Sequence, residues 1–208
     1  MIKNIVFDLG NVLISFVPSE FLKKKNYPEN IRNTIMSDIF GSAEWKMLDN
    51  GDITTPEAID AISLKSSLRR EEIALIFSFR AEIMFPLDDN VRLLPGLKKQ
   101  GYKLYYLSNF PLDIFEEIKN GYYFFKYFDG GIISSEVKLS KPDISIYKFL
   151  LKQYSLKPRD CLYIDDIETN VRAAESAGMK GIATFGASDI SEKLFDVLTA
   201  GPTIKQTE

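Results

Sequence analysis

Residues that could do chemistry stand directly after apolar runs of this sequence. A carboxylate at the end of a buried strand must be solvated, paired or used, because burying it alone costs on the order of several kcal/mol. The candidates are Asp8 after IKNIVF (2–7), Ser108 and Asn109 after YKLYYL (102–107), Lys141 ahead of a proline, and Asp165 with Asp166 after CLYI (161–164).

The residue types that are missing narrow the chemistry. The chain has no histidine and one cysteine, Cys161, so Ser-His-Asp and Cys-His catalysis, HExxH zinc sites and thiolate metal clusters are excluded. Cys161 is expected to be a small core residue. Catalysis, if present, depends on carboxylates, lysine, hydroxyls and a bound cation.

Taken one at a time, each candidate also has an ordinary explanation. Asp8 suits a turn, and Ser108-Asn109 ahead of a proline is common turn chemistry. Asp165 and Asp166 suit a helix N-terminus, where the helix dipole favours acids. Lys141 alone is typical of an exposed lysine.

The elements that must position these residues alternate along the chain. Segments with helix signals separate the apolar runs, which predicts a parallel sheet covered by helices on both faces. Pro142 is placed in the first turn of one helix, and Gly178 as the left-handed cap of another. If the first strand lies between the second and fourth, the polar residues converge at the carboxyl ends of the strands. The predicted strands are 2–7, 102–107, 131–134, 161–164 and 181–185.

Residues 17–88 interrupt the alternation. This stretch has amphipathic helix signals and no convincing strand. One of its helices is expected to begin with Thr55 as N-cap and Pro56 as the first helical residue.

With four motifs in this order, the chain resembles the haloacid dehalogenase superfamily. The motifs are VFDLGNV, YYLSN, SKPD and YIDD. The resemblance implies an α/β fold with a Rossmann-like parallel sheet of order 3-2-1-4-5. It also implies a catalytic core of residues 1–16 and 89–208, with a small helical-bundle cap domain at 17–88. FDLGNV, together with EWKMLDNGDIT in the cap, looks most like a branch that includes sugar-1-phosphate phosphatases.

The resemblance implies a phosphatase in which Asp8 attacks phosphorus and water then hydrolyses the aspartyl-phosphate. Three carboxylates converging on a phosphate would repel one another by ~4 kcal/mol per pair at ~4 Å with an effective dielectric near ~20. Mg²⁺, which prefers oxygen ligands, would remove that penalty. The expected ligands are Asp8, the Gly10 carbonyl and Asp166, with Asp165 either ligating or holding a metal-bound water. Lys141, Ser108 and backbone N–H groups near Asn11 and Asn109 would bind phosphoryl oxygens.

Gly10 departs from the family pattern. In the commonest phosphatases of the superfamily this position is a second aspartate, which acts as general acid and base. Glycine offers only its carbonyl, so the proton must come from elsewhere or be unnecessary for a good leaving group. Glu44, Asp49 and Asp52 are conceivable substitutes. Trp45 and Lys46 are further cap residues that could face the site.

Composition limits the partners and leaves alternatives open. A net charge of −3 argues against general binding to nucleic acid or anionic membranes. The N-terminus lacks the pattern of a signal peptide, which favours the cytoplasm. The predicted substrate is a small phosphorylated metabolite, with hexose phosphates suggested; no oligomeric state is predicted. The alternatives are a metal-free haloacid dehalogenase, against which the Asp165-Asp166 pair speaks, a phosphonatase with Lys46, and a non-catalytic phosphate-binding or regulatory module.

Overall fold

A parallel sheet of five strands forms the centre of the molecule. The computed structural model describes residues 1–184 and 189–199. The predicted parallel sheet is confirmed, and so is its order, since β5-β4-β1-β6-β7 is 3-2-1-4-5 when only the parallel strands are counted. Of the residues predicted for the last strand, Phe185 lies outside the described residues. The strands are β1 (Asn4–Phe7), β4 (Lys103–Ser108), β5 (Gly130–Ile133), β6 (Cys161–Asp165) and β7 (Lys180–Ala183).

Both faces of this sheet are buried, as expected for parallel strands. In β1, Ile5 and Phe7 belong to one hydrophobic cluster, whereas Val6 belongs to the cluster on the other face. Cys161 is a buried free thiol in the second cluster, as expected. The helices that follow residue 87 are α7 (Asp88–Val91), α8 (Leu93–Lys99), α9 (Leu112–Gly121), α10 (Ser134–Val137), α11 (Ile144–Gln153), α12 (Glu168–Ser176) and α13 (Ile190–Thr199).

Helices also fill most of residues 17–88, and they pack around a third cluster of their own that contains Leu22, Trp45 and Ile62. None of the helices in the described part of the chain is long and apolar enough to cross a membrane. The helices are α1 (Pro18–Lys24), α2 (Glu29–Ile35) continued by a π-helix (Met36–Phe40), α3 (Ala43–Asn50), α4 (Thr55–Ser63), α5 (Arg70–Ser78) and α6 (Arg80–Ile83).

The expectation that 17–88 contains no strand is wrong. β3 (Met84–Pro86) pairs antiparallel with β2 (Ile14–Phe16), and this ribbon joins the sheet to the helices. Its three residues are too few to show a period in the sequence.

Two predicted helix starts are also shifted. The N-cap of α4 is Thr54, which forms a capping box with Glu57, so Thr55 is already helical. Pro142 precedes α11 because Asp143 is its N-cap, accepting from the Ser145 N–H at 2.8 Å. The left-handed conformation predicted for Gly178 is confirmed, with φ at 89°.

Candidate active site

The carboxyl ends of β1, β4 and β6 meet at one edge of the sheet and form the floor of a cavity of about 180 Å³. This is where open parallel sheets bind ligands. The structure brings seven of the predicted site residues to the cavity lining. They are Asp8, Gly10, Asn11, Ser108, Asn109, Lys141 and Asp166.

Asp8 is held by one of its two carboxylate oxygens. Oδ1 accepts from the Leu9 N–H and the Ser108 hydroxyl, both at 2.7 Å, and lies 2.8 Å from Lys141 Nζ. Within residues 1–184 and 189–199, no donor reaches Oδ2. Burial raises the pKa of Asp8, and the Lys141 ammonium opposes that shift. The second oxygen is therefore available to a ligand.

Lys141 is buried between two carboxylates. Its Nζ lies 2.8 Å from Asp8 Oδ1 and 2.7 Å from Asp165 Oδ2. Burial alone would lower the pKa of Lys141, but the two carboxylates outweigh it and the pKa is raised. The side chain of Asn109 fixes the backbone of Lys141, because its Oδ1 accepts from the Lys141 N–H at 2.9 Å and its Nδ2 donates to the Lys141 carbonyl at 3.0 Å. Lys141 therefore stays charged and in place.

Asp165 is fully buried and does not line the cavity. Its Oδ1 accepts from the Ile167 N–H at 2.8 Å, and Asn170 Nδ2 lies 3.0 and 3.1 Å from its two oxygens. The Tyr163 hydroxyl also donates to Oδ2, which pairs with Lys141. Both oxygens are thus occupied by protein donors.

Asn170 and Tyr163 were missed by the sequence reasoning. Asn170 lies on the buried face of α12 with Val171 and Ala174. A polar residue beside apolar ones in a predicted helix was the feature of the sequence that could have indicated its role. Nothing in the sequence indicated that the hydroxyl of Tyr163, inside an apolar strand, bonds to Asp165.

Asn11 connects the turn after β1 to Asp166. Asn11 adopts φ of 52°, its Oδ1 accepts from the Phe16 N–H at 3.0 Å, and its Nδ2 donates to Asp166 Oδ2 at 3.3 Å. Its own N–H donates to the Ile14 carbonyl at 2.7 Å. The backbone N–H of Asn11 therefore already has an acceptor, whereas the backbone N–H of Asn109 has no acceptor among the described residues.

The acids at this edge fit a hard cation. Asp8, Asp165 and Asp166 each bring a carboxylate oxygen within 4.8 Å of the others, and Asp8 and Asp166 line the cavity. Burial and the neighbouring Asp165 raise the pKa of Asp166, a penalty on its charged form that a bound cation would relieve. In the described structure, no donor reaches the Gly10 carbonyl. Carboxylates with a free carbonyl form an all-oxygen donor set of the kind that Mg²⁺ prefers.

The opposite wall of the cavity is mostly apolar. Its members come from the β2–β3 ribbon, from α3 and from the segments after β4 and β6. Trp45 on α3 stacks on Phe16, with ring centroids 5.9 Å apart and an interplanar angle of 19°. Trp45 is thus part of the helical cluster and part of the cavity wall. The apolar lining residues are Ile14, Phe16, Trp45, Met84, Phe110, Pro111 and Ile167.

The candidate residues that the sequence suggested between 17 and 88 differ in whether they line the cavity. Asp49, near the end of α3, lines the cavity. Glu44 does not line it and pairs with Lys65 at 2.6 Å. Asp52 and Lys46 are exposed and also absent from the lining.

A sheet of this order, with an acid cluster and a buried lysine at its carboxyl edge, defines a hydrolase class. The chain belongs to the haloacid dehalogenase-like hydrolases, whose family model matches residues 2–178. It is an enzyme of that family, and the superfamily prediction is confirmed.

Two curated relatives and one solved structure show what the chain is similar to. It is 27% identical over 180 residues to a sesquiterpene phosphatase of Aspergillus oryzae, covering 86% of this chain and 88% of that protein. It is 26% identical over 188 residues to a phosphorylated carbohydrates phosphatase of Thermotoga maritima, covering 86% and 82%. A HAD family enzyme of Bacteroides thetaiotaomicron, solved with magnesium and inorganic phosphate, has the same fold with a TM-score of 0.73 and 24% identity, covering 93% of this chain and 99% of that one.

Proposed function

We propose that the chain is an Mg²⁺-dependent phosphatase that hydrolyses small phosphate monoesters through an aspartyl-phosphate at Asp8. The observation that carries the proposal is the state of the Asp8 carboxylate. Three donors hold Oδ1 at the cavity floor, while Oδ2 has no donor among the described residues. One oxygen is oriented and the other is left to react, which is the arrangement that a nucleophile needs.

In the proposed reaction, the carboxylate of Asp8 forms a bond to phosphorus as the ester P–O bond breaks, and the leaving oxygen takes up a proton. Water then attacks phosphorus, loses a proton and releases phosphate, which restores Asp8. Lys141 neutralises the nucleophile and the phosphoryl oxygens. Ser108 would orient Asp8, and the Asn109 N–H, which has no acceptor among the described residues, would bind a phosphoryl oxygen.

Asp8, the Gly10 carbonyl and Asp166 would hold Mg²⁺. When bound, the ion would neutralise charge that develops on the phosphoryl oxygens. The relative from Bacteroides thetaiotaomicron that was solved with magnesium and phosphate supports this choice of ion. We assign Asp165 to positioning, because its oxygens already accept from Lys141, Tyr163 and Asn170.

We further propose that residues 1–16 and 89–208 form the catalytic core and that residues 17–88 act as a cap. Trp45 and Asp49 support this division, because they bring one wall of the cavity from a separately packed group of helices. A cap would exclude water and select the leaving group. Location in the cytoplasm stays a prediction from the sequence.

Two leaving groups of different polarity are candidates for the substrate. Hexose phosphates were suggested by the sequence, and the relative from Thermotoga maritima is a phosphorylated carbohydrates phosphatase. The apolar wall instead favours a leaving group with an apolar skeleton, since a polyol there would lose water without gaining hydrogen bonds. The sesquiterpene phosphatase among the relatives agrees with that second choice.

A phosphatase screen tests the function and separates the two leaving groups. The panel contains hexose phosphates, short alkyl phosphates and prenyl monophosphates, each with Mg²⁺ and with EDTA, and the Asp8→Asn variant is the blank. We expect Mg²⁺-dependent phosphate release that is fastest with an apolar ester. Equal release with EDTA would contradict the metal assignment, and a preference for hexose phosphates would contradict the apolar one.

The alternatives have readouts of their own. Halide release from a 2-haloacid without Mg²⁺ would favour the dehalogenase. A wild-type protein that releases no phosphate and forms no Mg²⁺-dependent beryllofluoride adduct at Asp8 would favour a non-catalytic module.

A further inference from the structure

The glycine at position 10 leaves the proposed reaction without a proton donor on the core side of the cavity. Asp8 is the proposed nucleophile, and Asp166 is a proposed ligand of the cation. Lys141 already pairs with the carboxylates of Asp8 and Asp165. Among the described lining residues, the one remaining acid is Asp49. A general acid would therefore come from the helical wall, the side of the cavity that α3 forms with Trp45 and Asp49.

The end of α3 is fixed against the core, so Asp49 does not sit on a free loop. The Ser134 hydroxyl donates to the Asp49 carbonyl, and the Ser140 hydroxyl donates to Asn50 Oδ1 at 2.6 Å. Gly51 follows with φ of 73°, and a Cβ there would lie 2.4 Å from the Ser135 carbonyl oxygen. These contacts hold the backbone that carries Asp49 against the core, and Asp49 lines the cavity that contains Asp8. A proton-transfer group must be held close to the reacting atoms in this way.

The protonation state of Asp49 also suits the task. Burial raises the pKa of Asp49 to about 7, against the opposing effect of the Lys141 ammonium. The other charged groups that line this cavity are Asp8, Lys141 and Asp166. A carboxyl group poised near neutrality can both give and take a proton.

We propose that Asp49, from the end of α3, is the general acid and base of this enzyme and takes over the task that a second aspartate at position 10 performs in other phosphatases. The inference depends on the proposed phosphatase function. Protonated Asp49 gives its proton to the leaving oxygen as the P–O bond breaks. The resulting carboxylate then takes a proton from the water that attacks the aspartyl-phosphate. This proton transfer restores protonated Asp49 by the time phosphate leaves.

The first test compares two leaving groups in the Asp49→Asn variant, with Asp52→Asn as the matched control. Asp52 is an exposed acid three residues away that does not line the cavity. We expect Asp49→Asn to lower kcat/KM for a short alkyl phosphate by roughly 10²–10⁴-fold. With 4-nitrophenyl phosphate the loss should be much smaller, because that leaving group needs no proton. An equal loss for both substrates would overturn the proposal.

A pH profile gives a second readout. Because the acid must be protonated in the first step, wild-type kcat/KM for the alkyl phosphate should fall as pH rises through about 7. This fall of kcat/KM with rising pH should be missing in Asp49→Asn and present in Asp52→Asn. A fall that persists in Asp49→Asn would belong to another group and would contradict the assignment.

A rescue experiment uses the free space at Gly10. A Cβ at Gly10 meets no heavy atom within 4 Å, so Gly10→Asp should be tolerated. In the Asp49→Asn background, Gly10→Asp should recover alkyl phosphatase activity by at least tenfold, whereas the control Gly10→Asn should not. Recovery with Gly10→Asn, or none with Gly10→Asp, would count against the proposal.

Beryllofluoride separates failure of this inference from failure of the proposed function. Asp49→Asn should still form the Mg²⁺-dependent adduct at Asp8, which shows that the fold and phosphate site are intact. Absence of the adduct and of turnover in the wild type would overturn the phosphatase itself. If the wild type forms the adduct and hydrolyses the phosphate esters, and Asp49→Asn is unimpaired on both substrates, only the role of Asp49 would be overturned.

Discussion

The two walls of the cavity are built in different ways. The core wall is the side formed by Asp8 and Lys141, and Asp165 pairs with Lys141 behind the lining. Each of these three residues is held by several hydrogen bonds or ion pairs and is almost completely buried. On the helical side, Trp45 is held by aromatic packing, and α3 is tied to the core by hydrogen bonds from Ser134 and Ser140.

The difference indicates a division of labour. Groups that carry charge during a reaction must be oriented in advance, because their orientation is part of the electrostatic stabilisation. Groups that receive the leaving group need shape and apolar surface, which several side-chain combinations can supply. Substitution of the charged residues of the core wall should therefore abolish or strongly reduce activity, whereas changes among the apolar residues of the helical wall should mainly alter which substrate is used.

The largest effect is expected at Asp8. Asp8→Asn removes the nucleophile and should lower kcat by roughly 10⁴-fold or more, as the loss of other catalytic nucleophiles does. The fold should persist, because Asp165 still pairs with Lys141. The measurement is phosphate release with the best substrate of the screen, beside circular dichroism. Substantial turnover by a clean preparation would remove the nucleophile assignment.

The second largest effect is expected on the free energy of unfolding when Lys141 is substituted. Lys141→Met leaves Asp8 and Asp165 buried without a cation and should cost about 3–5 kcal/mol in the free energy of unfolding. Lys148→Met is the matched control, since Lys148 is an exposed lysine of α11. Urea unfolding at neutral pH measures both. Similar midpoints for the two variants would show that the Lys141 charge does not stabilise the core wall.

Much of this core wall was predictable before the fold was known. The strands, their order and seven residues of the cavity lining were predicted from local apolar runs and from motif resemblance. The apolar runs and the motifs lie in short stretches of chain, where pattern and structure are closely coupled, whereas the strand order was implied only by the resemblance to the family. The occupied oxygens of Asp165 were not predictable, because their donors come from β6, α12 and the segment before α11.

A smaller effect is expected where the helical wall meets the core. Gly51→Ala and Gly101→Ala both place a side chain at positive φ, which costs about 1–2 kcal/mol. A Cβ at Gly51 would also collide with the Ser135 backbone, whereas a Cβ at Gly101 meets nothing within 4 Å. Gly51→Ala should therefore be the more destabilising of the two and should alone lower activity, by shifting Asp49. Equal effects of the two variants would mean that this contact does not position α3.

The smallest effect is expected at the ion pair between α6 and α9. Arg80 donates to Asp113 at 2.8 Å, and the Asp113 side chain is 50% exposed, so Arg80→Met should cost below about 1 kcal/mol from the lost ion pair. Partial burial would raise the pKa of Asp113, but hydrogen bonds from Arg80 and Thr55 outweigh that effect and hold the pKa of the Asp113 carboxyl below its ordinary value.

The sign of the pH dependence at Asp113 follows from that lowered pKa. The pair stabilises the fold above the ordinary pKa, and its contribution is lost as pH falls through the lowered value. The difference in unfolding free energy between wild type and Asp113→Asn should therefore shrink on acidification below pH ~4. A difference that stays constant between neutral and acidic pH would rule out the ion pair as its source.

From the order of residues alone, one can obtain the parallel sheet, the place of the helical segment and the candidates for the core wall, because each is encoded in contiguous patterns. The same reading misplaced two helix starts and missed β3, where three residues carry no period. Tertiary structure alone decided which of Glu44, Asp49 and Asp52 reaches the cavity. That choice depends on how α3 packs against Phe16 and hydrogen-bonds to Ser134, and contacts between residues this distant in the chain leave no local trace in the sequence.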